Sequence, residues 1–236
     1  MTRAEELAAG LTGVRRRVEA AASDAGRDAA GIALVVVTKT YPASDVRLLA
    51  DLGVLDVGES RDQEAGPKAA ECDGVPLRWH FVGRLQSNKA RSVARYAHAV
   101  HSLDRPSLVA PLSRGAHEAG RTVGAFVQVS LDGDPQRGGV ALDGLPALAD
   151  AVAGAEALEL LGIMAVAPLG ADPDAAFAPL GEVSHRLRGD HPEAWRISAG
   201  MSGDLEAAVR AGATHLRVGS AVLGERPPLE YRPSGG

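Results

Sequence analysis

Lys39 closes an apolar run, Ile32-Ala33-Leu34-Val35-Val36-Val37-Thr38-Lys39, and so stands at the rim of a packed core. A short β-branched stretch of this kind predicts a buried strand. An ammonium at the end of such a strand can lose solvent, drop its pKa and attack a carbonyl to form a Schiff base. Far along the chain come two turns rich in glycine and serine, Ser198-Ala199-Gly200-Met201-Ser202-Gly203 and Arg217-Val218-Gly219-Ser220. Their amides and hydroxyls suit a phosphate. A Schiff-base lysine combined with a phosphate cradle points to pyridoxal 5'-phosphate.

Each feature also has a plainer explanation. A strand-end lysine can reach out to water along its own stem. The glycines can be ordinary turn residues, and Ser202 can cap the helix predicted over 204–211. What favours the cradle is that both turns follow the last two predicted strands, where barrel phosphate sites commonly form. Arg217 adds positive charge there, for the phosphate or for the edge of a pyridine ring.

The elements that must position these groups alternate along the chain. Strands are predicted over 32–38, 54–57, 78–82, 97–101, 125–129, 160–165, 195–198 and 215–218. Helices are predicted over 5–25, 43–52, 88–95, 105–119, 145–153, 175–187 and 204–211. Repeated βα units imply parallel strands, and eight of them predict a closed (β/α)₈ barrel spanning residues 1–225 as one α/β domain. The competing architecture, a doubly wound open sheet, lacks its Gly-x-Gly-x-x-Gly signature after the first strand. Residues 226–236, rich in Pro, Gly and Ser, are expected to form a flexible tail.

Composition narrows the function. The net charge of −5 comes from interspersed residues, and no strongly basic stripe invites nucleic acid. Arg15-Arg16-Arg17 reads as the solvated face of the first helix, whose apolar positions are Leu7, Leu11, Val14 and Val18. Aromatics make up 3% of the chain, so aliphatic side chains and alanine must fill the core, as suits helix-covered parallel strands. The single cysteine, Cys72, can form no intrachain disulfide, and its acidic neighbours argue against a reactive thiol. With no secretory leader pattern and no run near the ~20 residues that span a bilayer, a cytoplasmic protein without a membrane partner is expected. The histidines show no compact metal-ligand spacing, and His80 is expected to be a hydrogen-bonded core residue.

Several segments together resemble the pyridoxal phosphate homeostasis protein family, also called the proline synthetase co-transcribed protein family. They are Val37-Thr38-Lys39-Thr40, Val57-Gly58-Glu59-Ser60, the block 79–89 (Trp-His-Phe-Val-Gly-Arg-Leu-Gln-Ser-Asn-Lys), His101-Ser102-Leu103-Asp104, Leu161-Gly162-Ile163-Met164-Ala165 and the two turns. The resemblance implies a single barrel like the N-terminal domain of alanine racemase, the fold of type III pyridoxal phosphate enzymes without their second β-domain. It implies a cofactor held on Lys39 as an aldimine, with Met201, Ser202, Gly219 and Ser220 at the phosphate and Arg217 at the pyridine ring. Ser60 stands where the family usually has asparagine, so a contact near the ring is expected to be shortened or lost.

The family's implied role is non-catalytic: buffering the cofactor, or delivering it to apo-enzymes that depend on it. Separately from the resemblance, a monomer is expected. The alternative is an amino-acid racemase. Racemisation needs acid/base groups on both faces of the substrate α-carbon, and in alanine racemases the tyrosine opposing the lysine comes from the additional domain and dimer partner. Tyr41, two residues from Lys39, offers no reason to lie across the ring.

Overall fold

The computed structural model describes residues 1–134 and 137–224. Eight parallel strands close into a barrel in sequence order: β1 (Ala33–Val37), β2 (Asp56–Glu59), β3 (Arg78–Phe81), β4 (Ala97–Leu103), β5 (Val123–Gln128), β6 (Leu158–Met164), β7 (Arg196–Ser198) and β8 (His215–Val218). β1 pairs with both β2 and β8, which seals the sheet. All eight predicted strands are present, with ends shifted by up to a few residues. The proposed tail over 226–236 lies outside the described residues, as does 225.

Ten α-helices accompany the strands among the described residues: α1 (Arg3–Asp24), α2 (Ala43–Asp51), α3 (Asp62–Glu71), α4 (Ser87–Val93), α5 (Val109–Glu118), α6 (Leu145–Ala153), α7 (Pro173–Phe177), α8 (Leu180–Asp190), α9 (Leu205–Arg210) and α10 (Ser220–Leu223). α1 starts on a capping box, with Thr2 Oγ1 accepting from Glu5 N and Glu5 Oε2 accepting from Thr2 N. Its Leu7, Leu11, Val14 and Val18 are buried, as their spacing predicts, against α2, α9 and α10. Arg15 and Arg16 face solvent, while Arg17 forms a two-pronged ion pair with Glu206 on α9.

Three differences from the sequence reading have local causes. α3 was not foreseen, because Gly66 and Pro67 break its helical pattern and Pro67 lacks the N–H that a helix interior uses. The helix predicted over 175–187 is two helices, parted at Ala178 and Pro179. The stretch 105–119 opens with a 3₁₀ turn, Pro106–Leu108, before α5.

The core has two parts. The larger lies between sheet and helices and is built from Leu, Val, Ile and Ala, with a few aromatics. The barrel interior holds a small apolar group, Ala99, Phe126, Leu161 and Met164. Polar side chains share this interior: His80, His101, Ser198 and Arg217 are all buried. A barrel of eight strands is just wide enough for side chains to fill, so these polar groups must satisfy one another inside it.

Candidate cofactor site

The C-terminal ends of the strands surround a cavity of about 370 Å³. Every residue singled out from the sequence lines it: Lys39, Ser60, Met201, Ser202, Arg217, Gly219 and Ser220. Tyr41, Gly83 and Gly203 join them, and Val37, Val82, Met164 and Val166 supply apolar walls. The apolar positions are the last inward-facing residues of β1, β3 and β6 and the loops beyond, so strand alternation carried to the strand ends could have found them.

Lys39 sits two residues past the end of β1, in a tight turn where Tyr41 N donates to Thr38 O at 3.1 Å. Thr40 has φ +72°, an uncommon value for a β-branched residue, and its hydroxyl is buried with no hydrogen-bond partner among the described residues. Strained backbone of this kind persists where surrounding structure over-determines it. The chain has three lysines, Lys39, Lys68 and Lys89, and of these Lys39 lines the cavity.

The Lys39 turn is braced from behind by groups on β2 and α3. Lys68 Nζ donates to Glu59 Oε1 at 2.6 Å and to Thr38 O at 2.9 Å, and Thr38 Oγ1 donates to the same Glu59 oxygen at 2.7 Å. All three residues are buried. Burial pushes the Glu59 carboxyl above its ordinary value, against the opposing pull of Lys68 and Thr38. Glu59 is thereby a structural anchor for the turn. Lys68 escaped the sequence reading because it lies on the unforeseen α3.

Ser60 follows β2 and packs against Gly83. A Cβ at position 83 would fall 2.1 Å from Ser60 O, so only glycine allows this approach. The two glycine-rich turns meet each other: Ser202 Oγ accepts from Ala221 N at 3.4 Å and lies 3.4 Å from Ser220 Oγ. Ser202 is therefore not the cap of α9, which was the plainer alternative for it. That helix begins three residues later, and the Ser202 hydroxyl turns instead toward the start of α10. Gly200, at φ +91°, lets the first turn reverse, and Met201 N donates to Asp204 Oδ1 behind it.

Arg217 is buried. Its guanidinium donates to Ser198 Oγ at 2.6 Å and to Ala165 O at 2.9 Å, both neutral acceptors. Burial lowers its pKa to about 10, which leaves it charged at neutral pH. Cys72 is buried too, its Sγ 3.8 Å from Ala43 O. Burial first, and Glu71 in lesser degree, raise its thiol pKa, so the acidic neighbours are the smaller cause. Among the described residues no cluster of His, Cys, Asp and Glu could hold a metal ion.

His101 and His215 have pKa values pushed down by burial, His215 to about 3. Below the ordinary histidine value of about 6.5 the unfolded chain takes up protons that the folded chain refuses, so stability should fall with pH. Denaturant titrations between about pH 6.5 and pH 5, above the carboxylate range, should show a loss of up to about 1.4 kcal/mol per pH unit for each such histidine. A flat profile over that window would mean that both rings take up protons in the fold as readily as in the unfolded chain.

Barrel, strand-end lysine and paired glycine turns together define a chain of the alanine racemase N-terminal-domain class, and the family model described as "Alanine racemase, N-terminal domain" matches residues 11–227. A protein of Mycobacterium tuberculosis named pyridoxal phosphate homeostasis protein is 44% identical over 244 residues, covering 95% of this chain and 94% of that protein. The chain belongs to the pyridoxal phosphate homeostasis protein family. Among solved structures, PipY of Synechococcus elongatus, determined with PLP bound, superposes with a TM-score of 0.78 at 32% identity, covering 92% of this chain and all (100%) of PipY. Alanine racemase from Corynebacterium glutamicum shares the fold at a TM-score of 0.70 and 14% identity, and the match spans 62% of that enzyme.

Proposed function

We propose that this protein binds pyridoxal 5'-phosphate through Lys39 and serves, without catalysing a reaction on it, to buffer the cofactor or deliver it to apo-enzymes in the cytoplasm. The observation that carries the reading is the convergence of Lys39, the two glycine-rich turns and Arg217 on one cavity. The residues present suit the group. The bound cofactor supplies an aldehyde carbon for a lysine amine, a phosphate for amides and hydroxyls, and an aromatic ring for apolar walls. Lys39 Nζ would make the covalent bond, and Ser202, Gly219 and Ser220 with Met201 would hold the phosphate. Arg217 would face the ring, with Val37, Val82, Met164 and Val166 excluding water from its faces. Ser60 reaches the same cavity and would contact the group near the ring.

A carrier reading is supported over a racemase by the fate of Tyr41. Its hydroxyl donates to Gly224 O at 3.0 Å, and Arg3 stacks 5.6 Å from its ring centroid. A tyrosine committed in this way is a support for the wall of the site and not an acid poised over a substrate carbon. Among the described residues no helix is long and apolar enough to cross a membrane.

The test is a pair of measurements on the purified chain. Titration with pyridoxal 5'-phosphate should build a long-wavelength absorbance band at one equivalent. The loaded protein, incubated with alanine in deuterated water, should leave the α-proton in place, and should activate an apo-enzyme faster than spontaneous cofactor release allows. Lysine-dependent α-proton exchange would make it a racemase. Activation no faster than spontaneous release would confine its role to buffering.

A further inference from the structure

Beneath the cavity a line of buried polar groups runs the length of the barrel interior, and of its members Arg217 alone belongs to the cofactor site itself. Arg217 Nη1 donates to Ser198 Oγ at 2.6 Å. Ser198 Oγ lies 2.7 Å from His101 Nδ1, and His101 Nε2 lies 2.8 Å from His80 Nδ1. His80 Nε2 lies 2.8 Å from Asp56 Oδ1. Asp56 is the first residue of β2, so the line starts at the opposite end of the barrel from the cavity. It links β2, β3, β4, β7 and β8.

The two ends decide which way every hydrogen points. A guanidinium can only donate, and an ionised carboxylate can only accept. Burial works against the ionised form of Asp56, but hydrogen bonds from His80 and Arg78 outweigh it and hold its carboxyl below the ordinary range. His80 must then give its Nε2–H to Asp56, which leaves Nδ1 as acceptor for the Nε2–H of His101. His101 Nδ1 accepts the Ser198 hydroxyl hydrogen, and Ser198 accepts from Arg217. Four contacts are met by four hydrogens with both rings neutral. The reverse sense would set the bare Nε2 of His80 against a carboxylate oxygen, two acceptors at 2.8 Å. One added proton would bring a second positive charge into the core beside Arg217 and leave the Ser198 hydroxyl hydrogen without an acceptor in the line. The other charged or titratable groups near His80 are His98, His215 and Arg78, and none of them donates to or accepts from the rings of the line.

We propose that Asp56, His80, His101 and Ser198 form a one-directional hydrogen-bond relay that positions Arg217 toward the cavity and balances its charge from the far end of the barrel. The immediate partners of the guanidinium are neutral, and a chain of aligned hydrogen bonds in a low-dielectric interior polarises along its length. Asp56, His80, His101 and Ser198 are thus positioning residues for whatever Arg217 meets. The role rests on the reading that the cavity takes pyridoxal 5'-phosphate.

Two measurements test the relay. Side-chain ¹⁵N–¹H spectra of the cofactor-free full chain, assigned with His80→Gln and His101→Gln, should show both rings neutral with the hydrogen on Nε2. An Nδ1–H tautomer or an imidazolium at either ring near neutral pH overturns the relay. The second is a double-mutant cycle on pyridoxal 5'-phosphate affinity between Asp56→Asn, which keeps an acceptor oxygen for His80, and Ser198→Ala. Each single change should weaken binding by about three- to tenfold, the worth of one hydrogen bond, and the double variant should lose no more than the worse single. Losses that multiply would show two independent sites and overturn the coupling. If the wild-type chain binds no pyridoxal 5'-phosphate, the cofactor reading fails, and the ¹⁵N spectra still decide whether the relay exists.

Discussion

Lys39→Ala should abolish the long-wavelength band that pyridoxal 5'-phosphate produces on the wild-type chain, and should weaken binding by about a hundredfold or more, equivalent to about 3 kcal/mol. The loss has two parts. The covalent bond disappears, and with it the high effective concentration of an amine held beside the aldehyde carbon. The phosphate turns remain, so weak binding should persist in the variant. Ser202→Ala and Ser220→Ala should behave oppositely, keeping the band while losing affinity by the few-fold worth of a single hydrogen bond, about 0.5–1.5 kcal/mol. Absorbance titration separates these outcomes directly. A band that survives Lys39→Ala would move the covalent link to another amine and leave the cavity as a site for the phosphate alone. Neither other lysine is placed for this: Lys68 is bound to Glu59, and Lys89 lies 3.8 Å from Asp62 beside the neighbouring cleft.

Lys68→Met should cost about 3–5 kcal/mol of folding stability, read as a fall in the urea midpoint, because it strands a carboxylate in the core. Methionine keeps the length of the lysine stem, so packing changes little. What is lost is the ammonium that binds Glu59 Oε1 and Thr38 O. The other Glu59 oxygen, Oε2, is already buried without a hydrogen-bond partner among the described residues, so the carboxylate has little left to lean on. Adding Glu59→Leu to Lys68→Met should recover most of the loss, since a buried pair replaced by apolar groups is often neutral. A loss below about 1 kcal/mol would show that water reaches the pair and that it contributes no more than a surface salt bridge does. The single variant should also weaken the pyridoxal 5'-phosphate band, because the Thr38 carbonyl next to Lys39 loses its donor. That second readout ties the pair to the site and not only to the fold.

The barrel was legible because its cues are local. Runs such as 32–38 and 160–165 are too short and too β-branched for helices, and the helical spacing of Leu7, Leu11, Val14 and Val18 is plain in the sequence. Strand order followed, since parallel strands joined by helices admit few connections. Two departures from the sequence reading lie where a local cue misleads. Pro67 sits inside α3 and hides it, and Pro179 divides what reads as one helix over 175–187. Ser202 carries the residue type and position of a helix cap, yet it faces the turn that follows the neighbouring strand. No pattern confined to one segment can report that.

By itself the sequence determined the eight strands, the position of Lys39 at a strand end, and the two glycine-rich turns, because each depends on residues within a few positions of one another. Only the tertiary structure decided which groups inside the barrel face one another. Asp56, His80, His101, Ser198 and Arg217 come from five strands, and Glu59, Lys68 and Thr38 from three separate segments. The reason is physical. A buried polar group must find its partner wherever closure of the sheet brings one within hydrogen-bond reach, and that distance is set by the stagger and tilt of the whole barrel.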